Sequence, residues 1–119
     1  MPYQLPPTIV EFIDGVNAFD TGRIMATFAD DPLVNDNHRE FWGKQAIEAW
    51  VAGEMVGDHV TIEVTEVIEH RGMPVVRGRY DGEYDKTGLP DELIGTNYFE
   101  IEDGKIARLL VIFNSPAPH

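Results

Sequence analysis

The sequence predicts an α+β fold in which helices come first and an antiparallel sheet follows. Apolar residues recur at helical spacing through much of the first half of the chain, whereas the second half consists of β-rich runs of roughly ten residues separated by turn signals. Helices followed by strands are typical of a sheet that carries helices on one face. With 119 residues and no second compositional regime, the chain is expected to form one domain over residues 1–119.

Capping and spacing predict the first two helices. Residues 8–20 are expected to form the first, because Thr8 and Glu11 match a capping box and apolar residues follow at helical intervals. A short second helix is predicted next, with Ile24 and Phe28 four positions apart. The proline that follows is expected to lie beyond the end of this helix.

A brief strand and a third helix complete the first half. The stretch PLVNDNH is too short and too polar to predict more than a brief strand. From Gly43 onward, Ala46, Ile47 and Trp50 again follow helical spacing. This spacing predicts the third helix.

The second half predicts a four-stranded meander. The runs HVTIEVTEVIEH, MPVVRGRYDGEYD, ELIGTNYFEIED and KIARLLVIFNS are rich in β-branched and aromatic residues. They are separated by Arg71-Gly72, by a loop around Gly88, and by Asp103-Gly104. Because Asp-Gly between two apolar runs is a strong hairpin signal, the last two strands are expected to pair antiparallel.

The composition excludes several classes of function. The net charge of −12 would repel nucleic acid and anionic membrane surfaces. The chain contains no cysteine, so it has no disulfide, no thiolate nucleophile and no cysteine-based zinc site. It also lacks an apolar run long enough for a membrane helix and the features of a secretory signal, so a cytoplasmic location is expected.

Three stretches together resemble a known superfamily. NAFDTGRIMATFADDPLVND, FWGKQAIEAW and FEIEDGKIARLLVIFN are similar to nuclear-transport-factor-2-like proteins, in particular the SnoaL-like polyketide cyclases and the ketosteroid isomerases. The resemblance implies a cone-shaped, curved antiparallel sheet with three N-terminal helices packed over its concave face and a pocket between them. It also implies a homodimer formed through the sheet. The same scaffold hosts isomerases, cyclases, epoxide hydrolases, dehydratases and noncatalytic modules, so the fold does not fix the function.

The resemblance places Asp36 where the isomerases keep the aspartate that shuttles a proton beside a carbonyl group. Such a carboxylate removes a weakly acidic proton from carbon and returns it elsewhere. An apolar wall around Asp36 would raise its pKa from the ordinary value of about 3.9 toward a useful range. In a purely structural role, Asp36 would instead close a turn or cap a network of hydrogen bonds.

His38 is the expected partner of Asp36. On an extended strand, residues two positions apart point to the same face, so His38 would act as a second acid or base or hold Asp36 by a hydrogen bond. Alternatively, His38 is an exposed residue of the loop NDNHRE.

This sequence matches only part of the set of hydrogen-bond donors that stabilise the enolate oxygen in the isomerases. The resemblance aligns their tyrosine with Phe12, which has no donor, and their protonated aspartate with Asn97, whose amide can donate to a carbonyl oxygen. Strand alternation puts Asn97 on the same face as Phe99 and Ile101. Asn97 is therefore expected either to pair within the core or to line the cavity, and the cavity is favoured.

These observations predict an isomerase or cyclase that works without a cofactor or metal on a small hydrophobic molecule. The alternative is a noncatalytic binding or dimerisation module of the same fold; water addition is a third possibility, with a less complete set of residues. The predicted catalytic residues are Asp36, His38 and Asn97. The predicted pocket residues are Phe12, Val16, Phe28, Val34, Trp50, Phe99, Leu110 and Ile112.

Overall fold

Three helices and a six-stranded sheet form residues 4–114, the part of the chain that this computed structural model describes. Helix α1 spans Pro7–Asn17, α2 spans Thr21–Met25 and α3 spans Gly43–Trp50, continuing as a π-helical segment over Val51–Val56. The predicted helices are thus present, in the predicted order. Within these residues no helix is long and apolar enough to cross a membrane.

The sheet is mixed rather than wholly antiparallel. Its spatial order is β2-β1-β6-β5-β4-β3, and every neighbouring pair is antiparallel except β1 and β6, which run parallel. The predicted meander corresponds to the last four strands. The strands are β1 Phe28–Asp36, β2 Arg39–Trp42, β3 Thr61–His70, β4 Met73–Asp81, β5 Leu93–Glu102 and β6 Lys105–Phe113.

Helix α1 begins and ends differently from the prediction. Its N-cap is Pro6, with no side-chain cap, and the hydroxyl of Thr8 donates to the backbone oxygen of Gly104 instead of closing a capping box. The helix ends at Asn17, whose side chain bonds both the backbone N–H and the carbonyl of Ile62 on β3, at 2.7 and 3.0 Å. This pair of hydrogen bonds ties α1 to the sheet.

The extent of β1 is the main correction to the predicted elements. The strand covers nine residues and begins at Phe28, which the helical spacing from Ile24 had assigned to the second helix. Phe28 instead pairs with Ile106 of β6, and its ring meets Phe12 edge-on at 6.0 Å between centroids. The four-residue spacing was coincidental, because Phe28 is buried by the sheet and α1 together.

Two-residue turns join three of the hairpins. Arg71-Gly72 and Asp103-Gly104 connect strands as their sequences predict, with positive φ at both residues of each turn. Asn37-His38 joins β1 to β2 with the same backbone signs, φ 51 and 79 degrees. Positive φ at both central residues is the signature of a type I′ hairpin, so Asp36 and His38 do not lie on one extended strand.

Two facing glycines on β4 and β5 make room for large side chains on the inner face. Gly78 and Gly95 are opposite each other in the strand pairing. A Cβ atom on Gly78 would lie 2.7 Å from Ile62 Cγ2, and one on Gly95 would clash with the ring of Tyr80 and lie 3.0 Å from Phe113. Gly95 therefore leaves room for the Tyr80 ring, and Gly78 leaves room for the Ile62 side chain.

Replacing Gly95 with alanine tests this packing. We expect Gly95→Ala to lower the free energy of unfolding by about 1–3 kcal/mol, because the new methyl group must displace the Tyr80 ring from a packed position. Urea denaturation followed by circular dichroism measures the change.

Gly53→Ala is the matched control, since a Cβ atom there has no neighbour within 4 Å. That variant should unfold like the wild type or be more stable by up to about 1 kcal/mol. Equal stability of Gly95→Ala and the wild type would contradict the proposed contact with Tyr80.

Candidate functional site

A cavity of about 720 Å³ lies between the sheet and the helices. Phe12 of α1 and Trp50 of α3 form part of its wall, together with Leu109 and Val111 of β6. Among its polar lining residues are Asp36, Arg39, Glu54, Tyr80 and Asn97. Its volume falls in the range of roughly 300–1,000 Å³ found for small-molecule sites.

Strand pairing puts Asp36 and Asn97 in one row across the sheet. Asp36 is the partner of Val111 on β6, Val111 is the partner of Asn97 on β5, and Asn97 is the partner of Val76 on β4. Only one strand separates the two polar residues, so their backbones are roughly 10 Å apart. Both residues line the cavity.

The carboxylate of Asp36 is held through one of its two oxygens. Oδ2 accepts a hydrogen bond from the Arg39 guanidinium at 2.7 Å and another from Trp50 Nε1 at 3.1 Å. Within residues 4–114, no donor reaches Oδ1. The side chain is only 14% exposed. Asp36 therefore presents an oriented carboxylate with one oxygen left for a ligand.

Arg39 links Asp36 to a second carboxylate. Its guanidinium binds both oxygens of Glu54, at 2.6 and 3.1 Å, and also lies over the ring of Phe41. Phe41 stacks on Trp50 with ring centroids 5.7 Å apart, which closes a ring of contacts back to Asp36. The hydrogen bonds to Glu54, and to a smaller extent the one to Asp36, raise the pKa of Arg39 above its ordinary value. The guanidinium thus interrupts the apolar wall expected around Asp36.

Asn97 and Tyr80 form a buried polar pair on the inner face. Tyr80 donates its hydroxyl hydrogen to Asn97 Oδ1 at 2.9 Å, and Asn97 Nδ2 donates to the carbonyl of Val76 at 3.2 Å. Burial raises the pKa of Tyr80, with a smaller contribution from the negative charge of Asp36. The hydroxyl of Tyr80 is therefore kept neutral and available for hydrogen bonding.

His38 lies at the rim of the cavity rather than beside the Asp36 carboxylate on a strand. It is the second residue of the β1–β2 turn, is exposed, and its backbone N–H donates to Asn35 Oδ1 at 2.8 Å. Within residues 4–114, the ring of His38 makes no hydrogen bond to Asp36. The prediction that Asp36 and His38 share a strand face is therefore wrong, because the chain reverses between them.

The predicted pocket residues divide into three groups. Phe12 and Trp50 line the cavity, and Ile112 borders it near the end of β6, although strand alternation puts the Ile112 side chain on the outer face with Leu110. Leu110 is exposed and lies on the opposite face from Leu109 and Val111, as strand alternation requires. The other four pack against neighbouring helices and strands, so they are buried in the core instead of lining the cavity. They are Val16, Phe28, Val34 and Phe99.

Sequence reasoning missed Arg39, Glu54 and Tyr80 as site residues. A two-residue hairpin at Asn37-His38 would have predicted that Asp36 and Arg39 face each other, but the sequence there carries no Asn-Gly or Asp-Gly signal. Tyr80 shares a strand face with Val76 and Gly78, which is compatible with either a core or a cavity position. Glu54 follows the end of α3, in the π-helical segment that no local pattern indicated.

No metal-binding constellation occurs in the described part of the chain. No three His, Asp or Glu side chains of residues 4–114 come together in a set that could hold a metal ion. The polar groups that line the cavity include carboxylates, amides, phenols, an imidazole and a guanidinium.

Comparison with solved structures finds close matches to the fold. A candidate polyketide cyclase from Sinorhizobium meliloti shares 27% identity with a TM-score of 0.79, covering 92% of this chain and 99% of that one. A candidate ketosteroid isomerase from Kribbella flavida shares 14% identity, with a TM-score of 0.74 and coverage of 96% and 82%. A computationally designed 17-OHP binder shares 18% identity, with a TM-score of 0.74 and coverage of 90% and 89%.

These matches confirm the predicted cone-shaped α+β fold. A comparison with curated proteins finds no match. The family model of the SnoaL-like domain matches residues 9–109, which include β1 to β5 and the first part of β6. The chain therefore belongs to the SnoaL-like domain family.

Proposed function

We propose that the protein is an enzyme that removes a proton next to a carbonyl group of a small, largely apolar molecule, with Asp36 as the base. The observation that carries this proposal is the state of the Asp36 carboxylate. It lines the cavity with one oxygen held by two donors and the other without any donor from residues 4–114.

The arrangement suits proton abstraction for a geometric reason. Arg39 and Trp50 fix Oδ2, so Oδ1 can accept a proton from a ligand without a rearrangement of the carboxylate. The electron pair of the broken C–H bond moves toward the carbonyl oxygen, where negative charge develops. Asn97, one strand away in the same row, supplies an N–H for the ligand oxygen that receives this charge.

The proton then returns to carbon, or the enolate attacks a second carbonyl. Return at another carbon gives an isomerisation, and attack within the same molecule gives a ring closure. The 27% identity to a candidate polyketide cyclase favours a substrate with more than one carbonyl group, and thus ring closure. His38 lies at the rim of the cavity, where its side chain would contact the outer part of a bound ligand.

A noncatalytic binding module is the second candidate. The observation that favours it is Phe12, which lines the cavity without any hydrogen-bond donor at the place where the resemblance expects a tyrosine. The designed 17-OHP binder of the same fold demonstrates that this scaffold can hold a ligand without a described reaction. In this case, the cavity binds a ligand without converting it, and Asp36 and Asn97 only form hydrogen bonds to that ligand.

Exchange of carbon-bound hydrogen provides a direct test. We expect the wild-type protein to accelerate deuterium incorporation next to the carbonyl of 2-tetralone in D₂O, measured by proton NMR. Asp36→Asn should reduce the acceleration on the order of 100-fold or more, because the amide cannot accept the proton. The ketone serves as a probe, since exchange reports proton abstraction whatever the natural product is.

Asp30→Asn is the matched control on the same strand. Asp30 is fully exposed and does not line the cavity, so this variant should exchange at the wild-type rate. If Asp36→Asn were as active as the wild type, Asp36 would not be the base. If no variant accelerated exchange but ligands raised the melting temperature of wild type and Asp36→Asn equally, the binding module would be favoured.

We further propose that the protein forms a homodimer through the outer face of the sheet. Leu110 and Ile112 are exposed there, 36% and 41%, and their strand partners are Tyr98 and Thr96. Exposed apolar residues on a sheet face are typical of an interface between copies.

Sedimentation equilibrium tests the dimer. The wild type should sediment as a dimer, whereas Leu110→Lys should sediment as a monomer because it puts two like charges into the interface. Val64→Lys, an equally exposed apolar site on the edge strand β3, is the control and should remain dimeric. A wild-type protein that is monomeric at all concentrations would contradict the proposal.

A further inference from the structure

Arg39 divides its guanidinium unequally between two carboxylates that line the cavity. Glu54 receives hydrogen bonds from both terminal nitrogens, from Nη1 to Oε2 at 3.1 Å and from Nη2 to Oε1 at 2.6 Å. Asp36 receives a single bond from this residue, from Nη2 to Oδ2 at 2.7 Å. The two-pronged contact, which is the stronger geometry between a guanidinium and a carboxylate, is therefore made with Glu54 and not with Asp36.

This division decides whether the second oxygen of Asp36 is available. Asp36 and Arg39 are opposite each other at the start of the β1–β2 hairpin, so the guanidinium lies beside the carboxylate. A two-pronged contact between them would occupy Oδ1 as well as Oδ2. An oxygen that accepts a hydrogen bond from a guanidinium is a weaker base, because that bond stabilises the ionised carboxylate.

Glu54 owes its place to the π-helical segment Val51–Val56. At the end of this segment, the backbone N–H of Gly57 donates to the oxygen of Ala52, five residues earlier, at 2.9 Å. A Cβ atom on Gly57 would clash with the backbone oxygen of Gly53, so this wide turn favours glycine. Wide turns of this kind are frequent at functional sites.

The contact between Glu54 and Arg39 adds little to the stability of the fold. Their side chains are 45% and 54% exposed, and ion pairs exposed to this extent are screened by solvent. The Asp36 carboxylate is itself held from the core, because Trp50 donates to Oδ2. The main consequence of the contact is therefore the direction in which the guanidinium points.

We propose that Glu54 is a positioning residue, which keeps Arg39 from closing on both oxygens of Asp36 and so leaves Oδ1 free for a ligand. Without Glu54, the guanidinium turns and brings a second nitrogen to Oδ1, which blocks the base. The inference rests on the proposed function and deepens it, because it names the residue that keeps the proposed base available.

Removal of the Glu54 carboxylate tests this role through deuterium exchange into 2-tetralone in D₂O. We expect Glu54→Ala to lower kcat for exchange on the order of fivefold, the effect of one partly exposed ion pair. KM should stay close to the wild-type value, because the apolar wall that holds the ketone is unchanged. Glu48→Ala is the matched control: Glu48 is an exposed glutamate of α3 that does not line the cavity, so this variant should exchange at the wild-type rate.

A second substitution separates positioning from a general structural role. Arg39→Met keeps an apolar side chain beside Phe41 but has no hydrogen-bond donor. In that background no guanidinium can block Oδ1, so Glu54→Ala should cause no further loss, and the double variant should exchange faster than Glu54→Ala alone. Damage to the fold would instead add to the effect of Arg39→Met.

Crystal structures of the wild type and of Glu54→Ala provide a readout that does not depend on activity. We expect both terminal nitrogens of Arg39 within hydrogen-bond distance of the Asp36 carboxylate in the variant, one at each oxygen. In the wild type, only Oδ2 should accept from Arg39.

Three results would overturn the inference. The first is a Glu54→Ala variant that exchanges at the wild-type rate, and the second is a double variant no faster than Glu54→Ala. The third is a crystal structure of Glu54→Ala in which Arg39 still leaves Oδ1 free.

The outcomes also separate the inference from the proposed enzyme. Exchange that depends on Asp36 but not on Glu54 contradicts the positioning role alone. A wild-type protein without exchange contradicts the base assignment, and the two crystal structures then still decide whether Glu54 keeps Arg39 away from Oδ1.

Discussion

The parallel pairing of β1 with β6 is the constraint on which the site depends. It is held at both ends, because the backbone N–H of Ile106 donates to Thr27 at 2.8 Å and that of Asn37 donates to Val111 at the same distance. The pairing provides hydrogen-bond partners for the backbone groups along one edge of β6. It also joins the β1–β2 hairpin to the four-stranded meander. Asp36 and Asn97 are thereby separated by a single strand, and both line the cavity.

The shape of the cavity depends on where the sheet lacks side chains. Gly78 and Gly95 remove two Cβ atoms from facing positions on β4 and β5, and the rings of Tyr80 and Phe113 occupy the space at Gly95. A tyrosine that lies over glycine brings its hydroxyl to Asn97 on the neighbouring strand. The absence of a side chain at Gly95 therefore determines where the Tyr80 hydroxyl lies on the inner face of the sheet.

The position of Asp36 combines two unequal interactions. Arg39 is about half exposed, so its ion pairs with Asp36 and Glu54 are screened by solvent and contribute little to stability. Trp50 is 5% exposed, and its N–H binds the same oxygen from within the core. The orientation of the carboxylate therefore depends more on Trp50, while Arg39 mainly offsets the charge of two carboxylates in a chain that is already strongly acidic.

The sequence by itself determined the fold class, the three helices, the four-stranded meander and the turns at Arg71-Gly72 and Asp103-Gly104, because these follow from local periodicity and turn chemistry. The resemblance carried by its motifs pointed to Asp36 and Asn97. Only the tertiary structure decided that Phe28 belongs to a strand, that the chain reverses at His38, and that Arg39 and Tyr80 contact the two predicted site residues. Those outcomes depend on pairing between segments far apart in the chain, which local patterns do not encode.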